Sequence, residues 1–155
     1  MIGIGYDVHR FADGRRLVLG GIEIPHTQGL LGHSDADVVC HALADAILGA
    51  MGKPDIGFFF PPDDPSCEGI CSLEILQKCR TLADEEGLRI VNVDVTLIAE
   101  VPKVLPYREA MREAIGTALG IPAGKVGIKA TTHERLGSLG RGEGIAAMAV
   151  AQLEI

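Results

Sequence analysis

SDADVVCHALADAILGAM, residues 34–51, is where the chain changes period. Its apolar positions 38, 42, 43, 46, 47 and 50 recur at helical spacing, so a helix is expected, with Ser34 as its N-cap and Asp35 and Asp37 suiting the positive helix end. Gly52 to Pro54 stop it. Before it the period is that of strands. IGIGYDVHRF (2–11) reads as one, and RRLVLGGIEIP (15–25) as a hairpin turning at Gly20 and Gly21. After it, DIGFFFPPDDPSCEG (55–69) is rich in Pro, Asp and Gly, yet too apolar at Phe58 to Phe60 for free solvent, and is expected to be an ordered loop.

A second helix is expected over 72–87, a strand over 89–100, a third helix over 106–120, and two strands over 125–132 and 144–155. Strands alternating with helices predict an α/β, two-layer domain spanning 1–155: one sheet with helices on one face. The other face then needs a partner.

At 155 residues, 47% hydrophobic and 23% charged, the chain can bury a core without staples. A net charge of −7 without a basic cluster excludes a protein that grips nucleic acid by its phosphates. No apolar run approaches a membrane span and no signal peptide is evident, so a cytoplasmic protein is expected. Cys40, Cys67, Cys71 and Cys79 form neither CxxC pairs nor a secreted framework and read as reduced thiols; a Cys67/Cys71 metal pair would need ligands from elsewhere.

Asp7 and His9 stand two apart in the first strand and so project from one face. That is half of a metal site, or a solvated edge. In the helix, His41 has Asp37 and Asp45 four residues away on either side, which makes it either a core histidine satisfied by an aspartate or a third ligand with a carboxylate behind its ring. Three such ligands leave a fourth tetrahedral position open, as catalytic zinc sites do. His33 and Ser34 precede the helix where an anion is welcome, although Ser34 also reads simply as a cap. KATTHERLGSLGRGEG (129–144) joins two threonines, Glu134 and four glycines without a Walker or GxGxxG pattern. It suits phosphate and a hard cation, or is merely a turn between strands.

Taken together, GIGYDVHRF, GLLGHSDADVVCHALADAILGA, DIGFFFPPDDP, NVDVTLIAEVPKVLP, KATTHERLG and GRGEGIA occur in the order and spacing of the 2-C-methyl-D-erythritol 2,4-cyclodiphosphate synthases of the non-mevalonate isoprenoid pathway, and the chain resembles that family over nearly its whole length. The resemblance implies ring closure of 4-diphosphocytidyl-2-C-methyl-D-erythritol 2-phosphate with release of CMP. It implies zinc on Asp7, His9 and His41, and magnesium or manganese on Glu134. His33 and Thr132 match positions that align the substrate or stabilise its transition state, with Ser34 assisting at the 2-phosphate. Asp55, Ile56, Gly57, Phe60, Asp63 and Asp64 match the erythritol side of the site. Ala99, Pro102, Lys103, Val104, Leu105 and Thr131 match its cytidine diphosphate pocket. Arg141, with Glu143, matches the rim of a central cavity and is counted among the substrate contacts. The family is a homotrimer around a three-fold axis with active sites between chains, which would supply the missing partner. Other readings remain: a zinc-dependent nucleotide phosphodiesterase, or a non-catalytic trimer that binds a diphosphate.

Overall fold

Alternation in the first residues produces strand β1 (Ile2–Ala12), and the computed structural model, which describes residues 1–155, runs on through a small hairpin of β2 (Leu17–Leu19) and β3 (Ile22–Ile24) to the short β4 (Gly29–Leu30). Helix α1 (Val38–Ala50) follows, then the single turn α2 (Ile56–Phe59), α3 (Ser72–Glu85), β5 (Arg89–Ile98), α4 (Arg108–Leu119), β6 (Val126–Thr131), the turn α5 (Gly137–Gly140) and β7 (Gly144–Glu154). The main sheet has the order β4-β1-β7-β5-β6, and only β5 and β6 are parallel, joined by α4 as a crossover. The fold is mixed α+β.

Three expectations are corrected. The 15–25 hairpin does not join the main sheet: β2 and β3 make a sheet of their own. The segment 55–69 is not all loop, since α2 occupies its start; Phe59 and Phe60 pack on the core, but Phe58 is 67% exposed. Ser34 does not cap α1. Asp37 does, accepting from the Cys40 N–H at 3.2 Å, and it also accepts from the Gly20 and Gly21 N–H groups at 2.9 and 2.7 Å. One wholly buried carboxylate therefore serves a helix end and the hairpin turn together. Burial and neighbouring Asp35 push its pKa up, against the pull of those three N–H groups.

Helix α1 is buried on nearly every side, with only Asp45 and Gly49 reaching the surface. It lies directly on β1 and β7, with α3 packed beside it and α4 beside α3, toward β5 and β6. The approach is close because β1 presents Gly3 and Gly5 there. A Cβ on Gly5 would stand 1.9 Å from the Ala42 carbonyl oxygen, and one on Gly3 as near to that of Ala46. The strand's next residues on that face are Asp7 and His9, so His41 arrives above them. The other face of the sheet carries no helix. Ile2, Ile4, Tyr6 and Val8 are exposed there, beside Met148 and Val150, which pair in register with Tyr6 and Ile4.

Candidate active site

Asp7, His9 and His41 converge at the end of β1. Asp7 Oδ2 lies 2.9 Å from His9 Nε2 and 3.1 Å from His41 Nδ1, and the two nitrogens are 3.3 Å apart. Donors bound to one tetrahedral ion at about 2.0–2.1 Å stand roughly 3.3 Å from one another, so these three atoms already outline one face of such a site. Both rings are oriented from behind. His9 Nδ1 donates to the Leu31 carbonyl at 2.7 Å, leaving Nε2 as the nitrogen that faces the cluster. His41 Nε2 faces the hydroxyls of Ser34 (3.1 Å) and Ser72 (3.0 Å), leaving Nδ1 inward.

Burial would raise the Asp7 pKa, but hydrogen bonds and charge from His41 and His9 hold it at about 2; it is an anion. For His9, burial pulls the pKa down, while the Asp7 contact and the Leu31 carbonyl push it further up.

The carboxylates expected behind His41 are not there. Asp37 is spent on backbone, as above, and Asp45 accepts from the Ile56 N–H at 2.9 Å, fixing the turn α2. The groups on the ring are Ser34 and Ser72, and Asp35 accepts from the Ser72 hydroxyl. Arg15 steadies the loop leading into α1, donating to the carbonyls of Leu30 (2.6 Å) and Ser34 (2.8 Å).

A cavity of about 300 Å³ opens over the cluster. It brings Asp7, His9 and His41 together with His33, Ser34, Ile56, Gly57 and Phe60. It also takes Pro62, Ile70 and Ile75, which sequence reasoning did not single out, and Cys67, considered there only as a metal partner of Cys71, which does not line the cavity. Asp55, Asp63 and Asp64 do not line it; Asp64 instead caps the turn that follows, accepting from Ser66 N–H and hydroxyl at 2.9 and 2.8 Å.

A second cavity of about 390 Å³ lies between the segment after β5 and the end of β6. Here the structure gathers Ala99, Pro102, Lys103, Val104, Leu105, Thr131 and Thr132, and adds Glu100, Arg108 and Lys129. Glu134 is exposed on the turn after β6, its N–H donating to Thr132 Oγ1 at 3.1 Å. Glu100 fastens that turn, accepting from the His133 and Arg135 N–H groups, both at 3.1 Å. Three cationic side chains, Lys103, Arg108 and Lys129, around a partly apolar hollow suit a base carrying phosphates. Arg141 lies outside both cavities, paired with Glu143 at 2.6 Å. The two cavities share no residue within one chain.

The YgbB family model matches residues 1–154. The chain belongs to the YgbB family. A 2-C-methyl-D-erythritol 2,4-cyclodiphosphate synthase of Akkermansia muciniphila is 62% identical to this YgbB chain, over 99% of the chain and 91% of the relative. The synthase of Symbiobacterium thermophilum is 59% identical, over 97% and 96%. Among solved structures, the CDP complex of the Plasmodium falciparum protein IspF superposes with a TM-score of 0.84 at 36% identity, covering 98% of this chain and 93% of that one.

Proposed function

We infer that this YgbB chain catalyses the reaction its relatives are named for, forming 2-C-methyl-D-erythritol 2,4-cyclodiphosphate for isoprenoid precursors. The observation that carries the reading is the Asp7–His9–His41 cluster, with all three donor atoms within 3.3 Å of one another under the His33–Ser34 loop. The substrate is 4-diphosphocytidyl-2-C-methyl-D-erythritol 2-phosphate. Its 2-phosphate oxygen attacks the β-phosphorus, the bond between β-phosphorus and the oxygen bridging to the α-phosphorus breaks, and CMP leaves; the enzyme is thus a phosphorus–oxygen lyase.

Two imidazoles and a carboxylate form a donor set that suits zinc, and Glu134 suits magnesium or manganese. Such cations act as Lewis acids on the reacting phosphates. The side chains align the rest. His33 and Ser34 face the 2-phosphate, the α2 turn and Asp55 the erythritol, and Lys103, Thr131 and Thr132 the cytidine diphosphate. The attacking phosphate is ionised at pH 7, so no strong general base is required. The solved relatives with CDP support a nucleotide in the second cavity.

One substrate must span both cavities, and they are separate in the chain. We therefore place the active site between neighbouring chains of a homotrimer built on the open sheet face. No helix is long and apolar enough to cross a membrane. Four free thiols suit a reducing compartment, the cytoplasm.

The test is to incubate the zinc-loaded protein with that substrate and magnesium, with and without chelator, and follow phosphorus by NMR. Equal amounts of CMP and cyclic diphosphate, lost with chelator, are expected. Open-chain phosphates would make the protein a hydrolase, and binding without turnover a diphosphate sensor.

A further inference from the structure

Two serine hydroxyls converge on His41 Nε2, but they are differently supported. Ser34 Oγ also accepts from the Ala36 N–H at 3.2 Å. Ser72 Oγ gives its hydrogen to Asp35 Oδ1, so toward His41 it can only accept. The imidazole must therefore carry a hydrogen on Nε2, which leaves Nδ1, once a metal displaces its own proton, as the nitrogen that binds beside Asp7 and His9. Asp35 is itself held: Oδ2 accepts from the Ser72 N–H at 2.9 Å and Oδ1 from the Asp37 N–H at 3.1 Å. Ser72 is wholly buried at the first turn of α3, and its hydroxyl is not part of the cavity lining.

We propose that Asp35 and Ser72 act as a positioning pair for the metal ligand His41, fixing its tautomer and raising the basicity of Nδ1 through a carboxylate–hydroxyl–imidazole chain. Ser34 is thereby released from holding the ring, and its hydroxyl hydrogen is free to point into the cavity toward a phosphate oxygen. The pair also ties two distant parts of the chain. The same junction is closed by the Asp35 N–H on the Ile70 carbonyl (3.3 Å) and the Gly69 N–H on the His33 carbonyl (3.0 Å), so α3 sets the height of the His33–Ser34 loop over the metal ligands.

This rests on Asp7, His9 and His41 holding a metal, and the experiment separates the two. Metal-free parent, Ser72→Ala, Asp35→Asn and Ser34→Ala are titrated with zinc against a competing chelator and with cobalt(II) by visible absorption, and the metal-free forms are melted. Loss of such hydrogen bonds behind a ligand typically weakens binding 10- to 100-fold. Ser72→Ala is expected in that range with an altered cobalt band, Asp35→Asn by about 3- to 10-fold as the charge leaves the chain, and Ser34→Ala within about threefold. Metal-free melting close to the parent would separate this from general damage. A parent that binds no metal overturns the metal site itself. A parent that binds while folded Ser72→Ala binds equally well with an unchanged cobalt spectrum overturns only the positioning pair. If Ser72→Ala does not fold, Asp35→Asn decides by the same criterion, since its side chain touches neither ligand nor cavity.

Discussion

Along β1, successive residues belong to two unlike sets. Toward the helices the strand shows Gly3, Gly5, Asp7 and His9; away from them it shows Ile2, Ile4, Tyr6 and Val8, with Ile2 73% and Ile4 66% exposed. The first set has two residues without side chains and two whose donor atoms could hold a metal. The second is uniformly large and apolar, and continues onto Met148 and Val150 of β7. A period of two lets one strand carry two independent specifications: where a helix may touch and what its histidine meets, and what the outer face presents. Sheet faces of that kind are expensive to leave in water, which supports the trimer proposed above.

The hardest blow to the inner set is Gly5→Val. A side chain there meets the Ala42 carbonyl oxygen within van der Waals contact, so α1 must lift and take His41 with it. A loss of about 3 kcal/mol or more is expected, read as a lower melting temperature together with lost metal binding. Unchanged melting would mean that the close approach of α1 does not set the site.

Next comes His41→Ala, which removes one donor and leaves the backbone contact. Tightly bound metal and cyclisation should both vanish while circular dichroism stays that of the parent, because two donors do not hold a tetrahedral ion. Stoichiometric zinc in the purified variant would remove His41 from the ligand set.

The outer face is broken by Ile4→Lys. Sedimentation should show the trimer giving way to smaller species, with zinc content kept and activity at least about tenfold lower, since every ligand of the inner set lies within one chain. A fully active variant of parent size would show that the outer face is not where chains meet.

The smallest effect is the most informative. His41→Ala and Glu134→Ala, each nearly inactive, are unfolded together in equal amounts and refolded. Each interface in a ring needs one intact half from each of two neighbours, so random assembly restores roughly a quarter of parent activity. Recovery no greater than the separate variants, in trimers shown to be mixed, would place each active site within a single chain.

Much of this was legible because it is local. The alternation through Asp7 and His9, the helical spacing from Val38 to Ala50 and the Gly120 stop, left-handed at φ 69°, lie within a few residues of what they predict. What escaped depends on distance. Nothing in the spacing of residues 35 and 72 announces a hydrogen bond across 37 positions, and Glu100 reaches the 133–135 turn from the segment after β5. Asp37 and Asp45 misled because helical spacing reports which side of a helix a residue occupies, whereas unpaired N–H groups at Gly20, Gly21 and Ile56 decided where those carboxylates went. Ser34 as a cap failed for a similar reason: Asp37 is nearer to the orphan amides, and Ala36, in the left-handed region at φ 56°, bends Ser34 back over His41.

The position of β7 bears on how the molecule is made. It lies between β1 and β5, so the strand encoded furthest downstream is the one that joins the sheet's two parts. On a ribosome, the first 50 residues bring out all three metal donors with α1, and the β5–α4–β6 crossover can close next, yet these pieces share no ladder until residues 144–154 emerge. Nascent chains stalled before that point would expose strand edges on both parts, and a protease should cut them far faster than chains stalled beyond it.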